Sequence, residues 1–244
     1  MATGRIIDTH WLRTVRRWIV GLGGGWMVLS LALVLPFRWL PPPISSVMAQ
    51  EWVTAVVEGR DPFSAPPRWT DWDLIPSQLP LAVIASEDQR FIAHNGFDLK
   101  SIAEAIEERL DGGRMRGAST ITQQVAKNLY LWQGRSFLRK GLEAYFTVLL
   151  EAAWPKRRII EVYLNIAEFG RGVYGVDAAA RHLFNKPPRS LKPWECCRLA
   201  AVLPNPKRMN AASPSPYVRS RAAWIQRQIR LMGGAQVLER LGAE

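Results

Sequence analysis

The chain has 244 residues, of which 48% are hydrophobic and 22% are charged; this composition excludes an intrinsically disordered protein and accommodates one domain with an appendage. Its formal net charge of +11 predicts an anionic partner, whether nucleic acid, phospholipid or a phosphorylated substrate. The two cysteines, Cys196 and Cys197, are adjacent in sequence, and neighbouring cysteines bridge only with strain. We therefore interpret them as small apolar core residues rather than as a disulfide or a metal site.

The first predicted element is an apolar segment that crosses a membrane. Residues 18–38 contain an uncharged run of 20 residues, from Trp18 to Phe37, which is long enough to span a hydrocarbon core of about 30 Å. Four arginines and one aspartate precede this run, whereas only Arg38 follows it closely. This asymmetry predicts a cytoplasmic tail at residues 1–17, with the bulk of the chain across the membrane. A cleaved signal peptide is the alternative, and the length of the run and the lack of a small-residue cleavage site disfavour it.

Proline and helix signals divide the rest of the chain. Residues 39–78 are rich in proline and predict an irregular stalk near the membrane with one short helix around 46–58. From 79 to 244 helical periodicity recurs and alternating strand patterns are nearly absent, which predicts a mainly α domain preceded by one transmembrane helix. Helices are expected to begin at residues 79, 136 and 155 and to cover 99–110, 119–131, 176–184, 193–203 and 217–233.

The predicted helix at 119–131 carries an unusual polar face. Ser119 is its expected N-cap, and one side of the helix is an apolar stripe. Threonine and asparagine are poor helix formers, so their presence on the other side indicates hydrogen bonding to a ligand. A helix start with free N–H groups and a lysine suits a phosphate or a sugar phosphate, although an ordinary amphipathic helix is the alternative. The polar face consists of Thr120, Gln123, Gln124, Lys127 and Asn128.

Glu87 is the first candidate for proton transfer. It follows an apolar helix and lies one turn from Val83 and Ile84, so burial is expected to raise its pKa and to suit it to proton transfer near neutral pH. The alternative is a carboxylate at a helix end that pairs with Arg90. His94 follows shortly and is either a catalytic base or, as such histidines more often are, a residue that fixes the loop by bonding to the backbone.

A second carboxylate, Glu143, lies in a polar column of the long helix that begins after Ser136. Its simplest interpretation is a surface pair with Arg139, which contributes only tenths of a kcal/mol. In the functional interpretation Glu143 faces Glu87 across a cleft. Neighbouring cations then bind phosphate, and they are Arg135, Arg139 and Lys140. The sequence alone does not bring the two carboxylates together.

Four segments, in order and at plausible spacing, resemble the motifs of the peptidoglycan glycosyltransferases, glycosyltransferase family 51. The first is Glu-Asp-x-x-Phe-x-x-His-x-Gly at 87–96, and the second is Gly-x-Ser-Thr-x-Thr-Gln-Gln-x-x-Lys-Asn at 117–128. The third is Arg-Lys-x-x-Glu at 139–143, which extends to Glu151, and the fourth runs from Lys156 to Gly170. The resemblance covers about residues 75–230.

This resemblance implies a lysozyme-like helical glycosyltransferase domain at residues 79–244. Its substrate would be lipid II, a disaccharide-pentapeptide on undecaprenyl pyrophosphate, and its product a β-1,4 glycan strand formed by a single inverting displacement at MurNAc C1. The Ser-x-x-Lys and Lys-Thr-Gly motifs of the bifunctional relatives do not occur in this chain. The resemblance therefore implies a monofunctional enzyme that releases undecaprenyl pyrophosphate.

The resemblance also implies roles for individual residues. Glu87 would be the general base, and Glu143 would position the cations or hold a divalent cation (Mg or Mn), although no cofactor is obligatory. The substrate-binding residues carried over from the motifs are Asp88, Phe91, His94, Ser119, Thr120, Gln123, Gln124, Lys127, Asn128, Arg135, Arg139 and Lys140.

Location and partners follow from the anchor and the resemblance together. The expected location is the bacterial inner membrane, crossed once, with a periplasmic catalytic domain. The expected partners are the membrane, lipid II, the growing glycan and proteins of wall synthesis or division, but no nucleic acid. One alternative is a murein-cleaving lysozyme or lytic transglycosylase, in which the glutamate is a general acid. The other is a non-catalytic protein that binds anionic lipid.

Overall fold

Helices make up most of the computed structural model, which describes residues 9–110, 112, 119–134 and 136–242. Across these residues the chain forms eleven α-helices and one two-stranded antiparallel sheet, so the predicted mainly α class is confirmed. Two compact units make up the chain, Met1–Leu40 and Pro41–Glu244, and we treat each by itself.

The first unit consists of one long apolar helix, α1 (Thr9–Val34), followed by a short 3-10 turn. At 1.5 Å per residue it is about 39 Å long. Among the described residues, Trp11–Arg38 is the segment that is long and apolar enough to cross a membrane. Its side chains are largely exposed, for example Leu22 at 70%. A helix with a long, largely exposed apolar surface is typical of a membrane span, which supports the anchor expected at residues 18–38.

The second unit begins with residues 41–78, which pack onto the helices that follow them. Helix α2 (Ser46–Val57) forms where a short helix was predicted, and the Ser45 hydroxyl caps it by accepting from the Met48 N–H. Further along, Thr70 and Asn165 exchange two hydrogen bonds, N–H to Oδ1 at 2.7 Å and Nδ2–H to carbonyl at 2.9 Å. The segment is therefore attached to the domain, in contrast to the irregular stalk expected from its prolines.

The remaining helices follow in close succession, with a small hairpin between the seventh and the eighth. In the hairpin, β1 (Glu168–Gly170) pairs antiparallel with β2 (Val173–Tyr174). The helices are α3 (Gln78–Glu87), α4 (Leu99–Leu110), α5 (Ile121–Tyr130), α6 (Phe137–Ala153), α7 (Lys156–Ile166), α8 (Gly175–Phe184), α9 (Pro193–Val202), α10 (Pro216–Leu231) and α11 (Gly234–Gly242).

Helix α3 lies in the core of this unit. Its residues from Leu79 to Ala85 are all buried, because the helix packs against α9 and α10, and a helix that is apolar on all sides is stable only in such a setting. Helix α5 packs on α6 and α7. Cys196 and Cys197 of α9 are buried and unbridged, and burial raises the pKa of the Cys196 thiol to about 12. The prediction that they are core residues is confirmed.

Two predicted helix ends are wrong. Helix α5 begins at Ile121 with Thr120 rather than Ser119 as its N-cap, because Thr120 and Gln123 form a capping box. The helix predicted at 217–233 ends earlier, since Gly233 adopts a φ of +68° that favours glycine. Helix α11, which the sequence analysis did not predict, follows directly.

Candidate active site

The site is built around Glu87, the last residue of α3. Its side chain is 14% exposed, and burial raises the pKa of the carboxyl, while a hydrogen bond from Gln124 and the charge of Arg221 oppose the rise. Gln124 Nε2 donates to Glu87 Oε2 at 3.0 Å. Tyr163 Oη in turn donates to Gln124 Oε1 at 3.2 Å, which directs the amide nitrogen towards Glu87. The expectation of a buried carboxylate with a raised pKa is confirmed.

Arg221 of α10 is a neighbour of Glu87 that the sequence analysis missed. Its Nη2 lies 3.9 Å from Glu87 Oε1, and its side chain is 23% exposed. The Arg221 Nε is buried and has no hydrogen-bond partner within the described part of the chain. A contact between residues 134 positions apart leaves no local signal, so only the packing of α10 against α3 reveals it.

Asp88 joins α3 to the start of α5. Its Oδ2 accepts from the Ile121 N–H at 3.0 Å, and His94 Nε2 lies 2.9 and 3.1 Å from its two carboxylate oxygens. The carboxylate thus binds one of the free N–H groups at the helix start, where negative charge is favourable. His94 was expected either to act as a base or to fix the loop by bonding to the backbone. It does fix the loop, but by contacting the Asp88 carboxylate rather than the backbone.

Three residues expected to bind substrate are buried and engaged within the protein. Thr120 and Gln123 cap α5, and Thr120 Oγ1 also donates to the Gly96 carbonyl at 2.7 Å. Phe91 is fully buried, with the Lys156 ammonium 4.6 Å from its ring centroid. The capping bonds and the packing engage these side chains within the protein, although Thr120 also lines the open cleft beside Glu87. Their expected roles in substrate binding stay predictions.

A second buried network beside Gly96 also escaped the sequence analysis. Glu151 of α6 accepts from the Thr122 hydroxyl of α5 and pairs with Lys156 of α7 at 2.8 Å. Gly96 has a φ of +85°, and a Cβ there would lie 2.6 Å from Thr147 Cγ2. Only glycine therefore allows the loop that follows Phe91 to approach α6.

Cationic side chains gather on α5 and α6 on one side of Glu87. We call Lys127, Arg139, Lys140 and Glu143 the cation cluster. Arg139 Nη1 donates to Glu143 Oε2 at 2.8 Å, and Lys140 Nζ donates to Oε1. The Glu143 side chain is only 4% exposed. Three cations face one carboxylate, and the buried Arg139 Nε has no partner among the described residues, so the cluster retains charge and a donor for an anion.

Lys127 links the two candidate carboxylates. Burial lowers the pKa of Lys127, and the positive charges of Arg139 and Lys140 lower it further. The negative charges of Glu143 and, to a smaller extent, Glu87 act in the opposite direction and raise it. The charges of both glutamates therefore act on the same ammonium group, an electrostatic link that the sequence alone did not indicate.

Two further residues expected to bind substrate are Ser119 and Asn128, and their roles stay predictions. Ser119 is exposed and lines the open cleft beside Glu87. Asn128 is half-buried, and its carbonyl accepts from the Ser46 hydroxyl of α2 at 3.1 Å. Arg135 lies outside the described residues, so its expected role stays a prediction.

The donor set around Glu143 does not fit a divalent cation held by the protein. Both oxygens of Glu143 are already paired with cations. Within the described ranges, no group of three or more His, Cys, Asp or Glu side chains is arranged to hold a metal ion, whereas Mg²⁺ and Mn²⁺ prefer sites rich in oxygen ligands.

On its other side Glu87 borders an open cleft of about 700 Å³. The cleft extends from the end of α3 between α4 and α10, and we call it the α4/α10 cleft. None of its described lining residues belongs to the cation cluster. Glu87 thus borders an open groove and acts electrostatically on Lys127 of the cation cluster, an arrangement that suits a site where two substrate groups meet.

Comparison with known proteins is consistent with this geometry. The family model described as transglycosylase matches residues 60–230. The biosynthetic peptidoglycan transglycosylase of Xanthomonas axonopodis pv. citri is 51% identical over 93% of this chain and 94% of its own length. The protein of the same name from Chromohalobacter salexigens is 49% identical over 95% of this chain and 98% of its own. The protein of the same name from Pseudomonas aeruginosa is 51% identical over 88% of this chain and 92% of its own length.

Proposed function

Since this chain belongs to the transglycosylase family and is a peptidoglycan transglycosylase, we propose that it polymerises lipid II into β-1,4-linked glycan strands and releases undecaprenyl pyrophosphate. One observation carries the proposal: the carboxyl of Glu87, whose pKa burial raises, borders an open cleft, accepts a hydrogen bond from Gln124 of α5 and acts electrostatically on Lys127 of the same helix. A base, a site for an anionic leaving group and room for a second substrate therefore adjoin one another.

Glu87 is the general base in this proposal. Its carboxylate takes the proton of the acceptor GlcNAc 4-hydroxyl while that oxygen attacks C1 of the donor MurNAc. The bond from C1 to the pyrophosphate oxygen breaks at the same time, and the leaving group keeps the electron pair. Attack from the face opposite the leaving group converts an α-linked donor into a β-linked product in one displacement. A pKa raised towards neutrality is what proton transfer at physiological pH favours.

The cation cluster stabilises the leaving pyrophosphate. Negative charge grows on that group as the bond to C1 breaks, and fixed positive charge in a partly buried site stabilises it more than solvent does. Lys127 and Arg139 supply that charge from α5 and α6. Glu143 is a positioning residue, because both of its oxygens hold cations in place and neither is left for proton transfer.

We further infer that catalysis needs no divalent metal. The three cations of the cluster provide the charge that a metal would place beside a pyrophosphate, and the paired Glu143 is a poor ligand for one. We therefore expect the protein to retain its activity in the presence of a chelator.

The anchor completes the proposal. The apolar helix is taken to cross the inner membrane with the arginine-rich tail in the cytoplasm and the domain in the periplasm, where lipid-linked substrates share its surface. Confinement to one surface raises the effective concentration of both substrates. Protease added to intact spheroplasts is expected to remove the domain, and its protection there would contradict this topology.

The experiment that tests the function compares two substrates. The full chain in detergent or liposomes is incubated with purified lipid II and, separately, with mature murein. The proposal is supported if lipid II is converted into a polymer that lysozyme can digest. Cleavage of murein without polymerisation would support the lytic alternative, in which a glutamate protonates a sugar leaving group and a cation cluster has no role. Binding of anionic vesicles without either reaction would support the non-catalytic alternative.

A further inference from the structure

The two walls of the α4/α10 cleft carry opposite charges. On the α4 wall the side chains of Glu104 and Glu108 line the cleft, and on the α10 wall those of Arg221 and Arg227 do so. Two aromatic side chains of α10, Tyr217 and Trp224, lie along the same wall. The catalytic steps proposed above use none of these groups beyond the contact of Arg221 with Glu87.

The cleft has the length of a short peptide. Its α10 residues recur three or four positions apart from Tyr217 to Arg227, so they occupy one face of the helix. Ten residues of helix rise about 15 Å. An extended chain covers about 3.3–3.6 Å per residue, so four or five peptide residues fill this length. Because Arg221 contacts Glu87 and lies six positions before Arg227, about 9 Å of this length extends from Glu87 to Arg227, which accommodates two or three residues of an extended peptide.

The charges along the groove are available to a ligand. Among the described residues no ion pair involves Glu104, Glu108 or Arg227, and all three are exposed. Glu104 and Glu108 are four positions apart on one helix, where like charges repel each other and a bound cation relieves the repulsion. Arg221 adds a buried Nε without a hydrogen-bond partner in the described ranges.

We propose that the α4/α10 cleft binds the stem peptide of the substrate, an inference that rests on the proposed function. A peptide that carries several carboxylates and an ammonium group matches walls of opposite sign. Its carboxylates bind Arg221 and Arg227, and its ammonium group binds between Glu104 and Glu108. Trp224 and Tyr217 offer flat apolar surface to the sugar or to the peptide backbone. Since Glu87 marks the reacting sugar, a peptide on the neighbouring sugar enters the groove beside Arg221, which contacts Glu87.

The test compares two lipid-linked substrates on the full-length protein. One is lipid II with its pentapeptide, and the other is the same disaccharide pyrophosphate lipid without the peptide. Arg227→Gln is expected to raise KM for the pentapeptide substrate about 1.5-fold to fivefold, the range for one solvent-exposed charge contact, with kcat unchanged. The same variant is expected to leave both constants for the peptide-free substrate unchanged. The double variant Glu104→Gln/Glu108→Gln probes the opposite wall and is expected to behave likewise.

Matched controls lie on the same helices. Arg230→Gln on α10 and Glu107→Gln on α4 make the same charge changes at exposed positions that do not line the cleft, and they are expected to leave KM unchanged for both substrates. The proposal is overturned if wild-type protein has the same KM for both substrates, or if Arg227→Gln changes both equally. If the proposed function itself were wrong, the wild-type protein would polymerise neither substrate, a result that differs from failure of the stem-peptide proposal.

Discussion

The two sides of Glu87 hold their charges in different ways. In the cation cluster Glu143 is buried and fixes Arg139 at 2.8 Å, whereas across Glu87 the side chains of Glu108 and Arg227 are exposed, with no ion pair among the described residues. Charges that are held in advance need no reorganisation when the transition state forms. Exposed charges adapt to a variable ligand and contribute less each. The comparison indicates that chemistry depends on the buried side and recognition on the exposed side.

The strongest test of this division is Glu87→Gln, which removes the base but keeps the size of the side chain. We expect kcat to fall about 10²–10⁴-fold, the usual contribution of a general base. The fold should become more stable at neutral pH, because burial raises the pKa of Glu87. Glu87 therefore favours the folded state at acidic pH, and that stability is lost as pH rises through its folded-state pKa.

Polymerisation of lipid II and the midpoint of thermal unfolding measure these two effects on the same preparation. Glu107→Gln is the matched control and should change neither. Full activity of Glu87→Gln would mean that another residue is the base.

Lys127→Met tests the cation cluster separately from the general base Glu87. Removal of one fixed charge that stabilises a developing anion is expected to reduce kcat about 10²–10³-fold, whereas Lys127→Arg should keep part of the activity because it keeps the charge. Steady-state polymerisation kinetics separate kcat from KM. Lys100→Met, at an exposed position of α4, is the control. A change confined to KM would instead make Lys127 a ground-state binding residue.

Arg221→Gln probes the residue that contacts Glu87 and also lines the α4/α10 cleft. The Arg221 charge opposes the rise of the Glu87 pKa, so its loss should raise that pKa further. Because a general base acts only when deprotonated, the acidic limb of the pH profile of kcat/KM should move to higher pH. Arg230→Gln should leave the limb in place. A limb that stays in place in Arg221→Gln would show that the contact at 3.9 Å does not influence the base.

Removal of divalent metal should have the smallest effect. Because the cation cluster supplies the positive charge and Glu143 is already paired, a chelator is expected to change the initial rate of lipid II polymerisation less than about twofold, well below the tenfold that 1.4 kcal/mol would give. Assays with the chelator alone and with added excess Mg²⁺ provide the comparison. Loss of activity that Mg²⁺ restores would instead assign a metal to the pyrophosphate.

Local patterns in the sequence anticipated much of the site. Periodicity and caps predicted the helices that carry Glu87, Lys127 and Glu143, and the apolar stripe of α3 predicted the buried carboxyl. The polar face of α5 was interpreted less accurately, because a sequence pattern does not distinguish a hydroxyl or amide that binds substrate from one that caps its own helix. Thr120 and Gln123 serve the cap, and only Gln124 reaches Glu87.

By itself, then, the sequence determined a mainly helical chain with one apolar helix long enough to span a membrane, a buried glutamate and a set of cations, because these properties depend on residues within a few turns of one another. The tertiary structure decided which of them meet. It brings Arg221 to Glu87 across 134 positions, binds Asp88 to the start of α5 and subjects Lys127 to the charges of two glutamates. Such contacts follow from the packing of apolar helix faces, which fixes distances that neither helical propensity nor spacing contains.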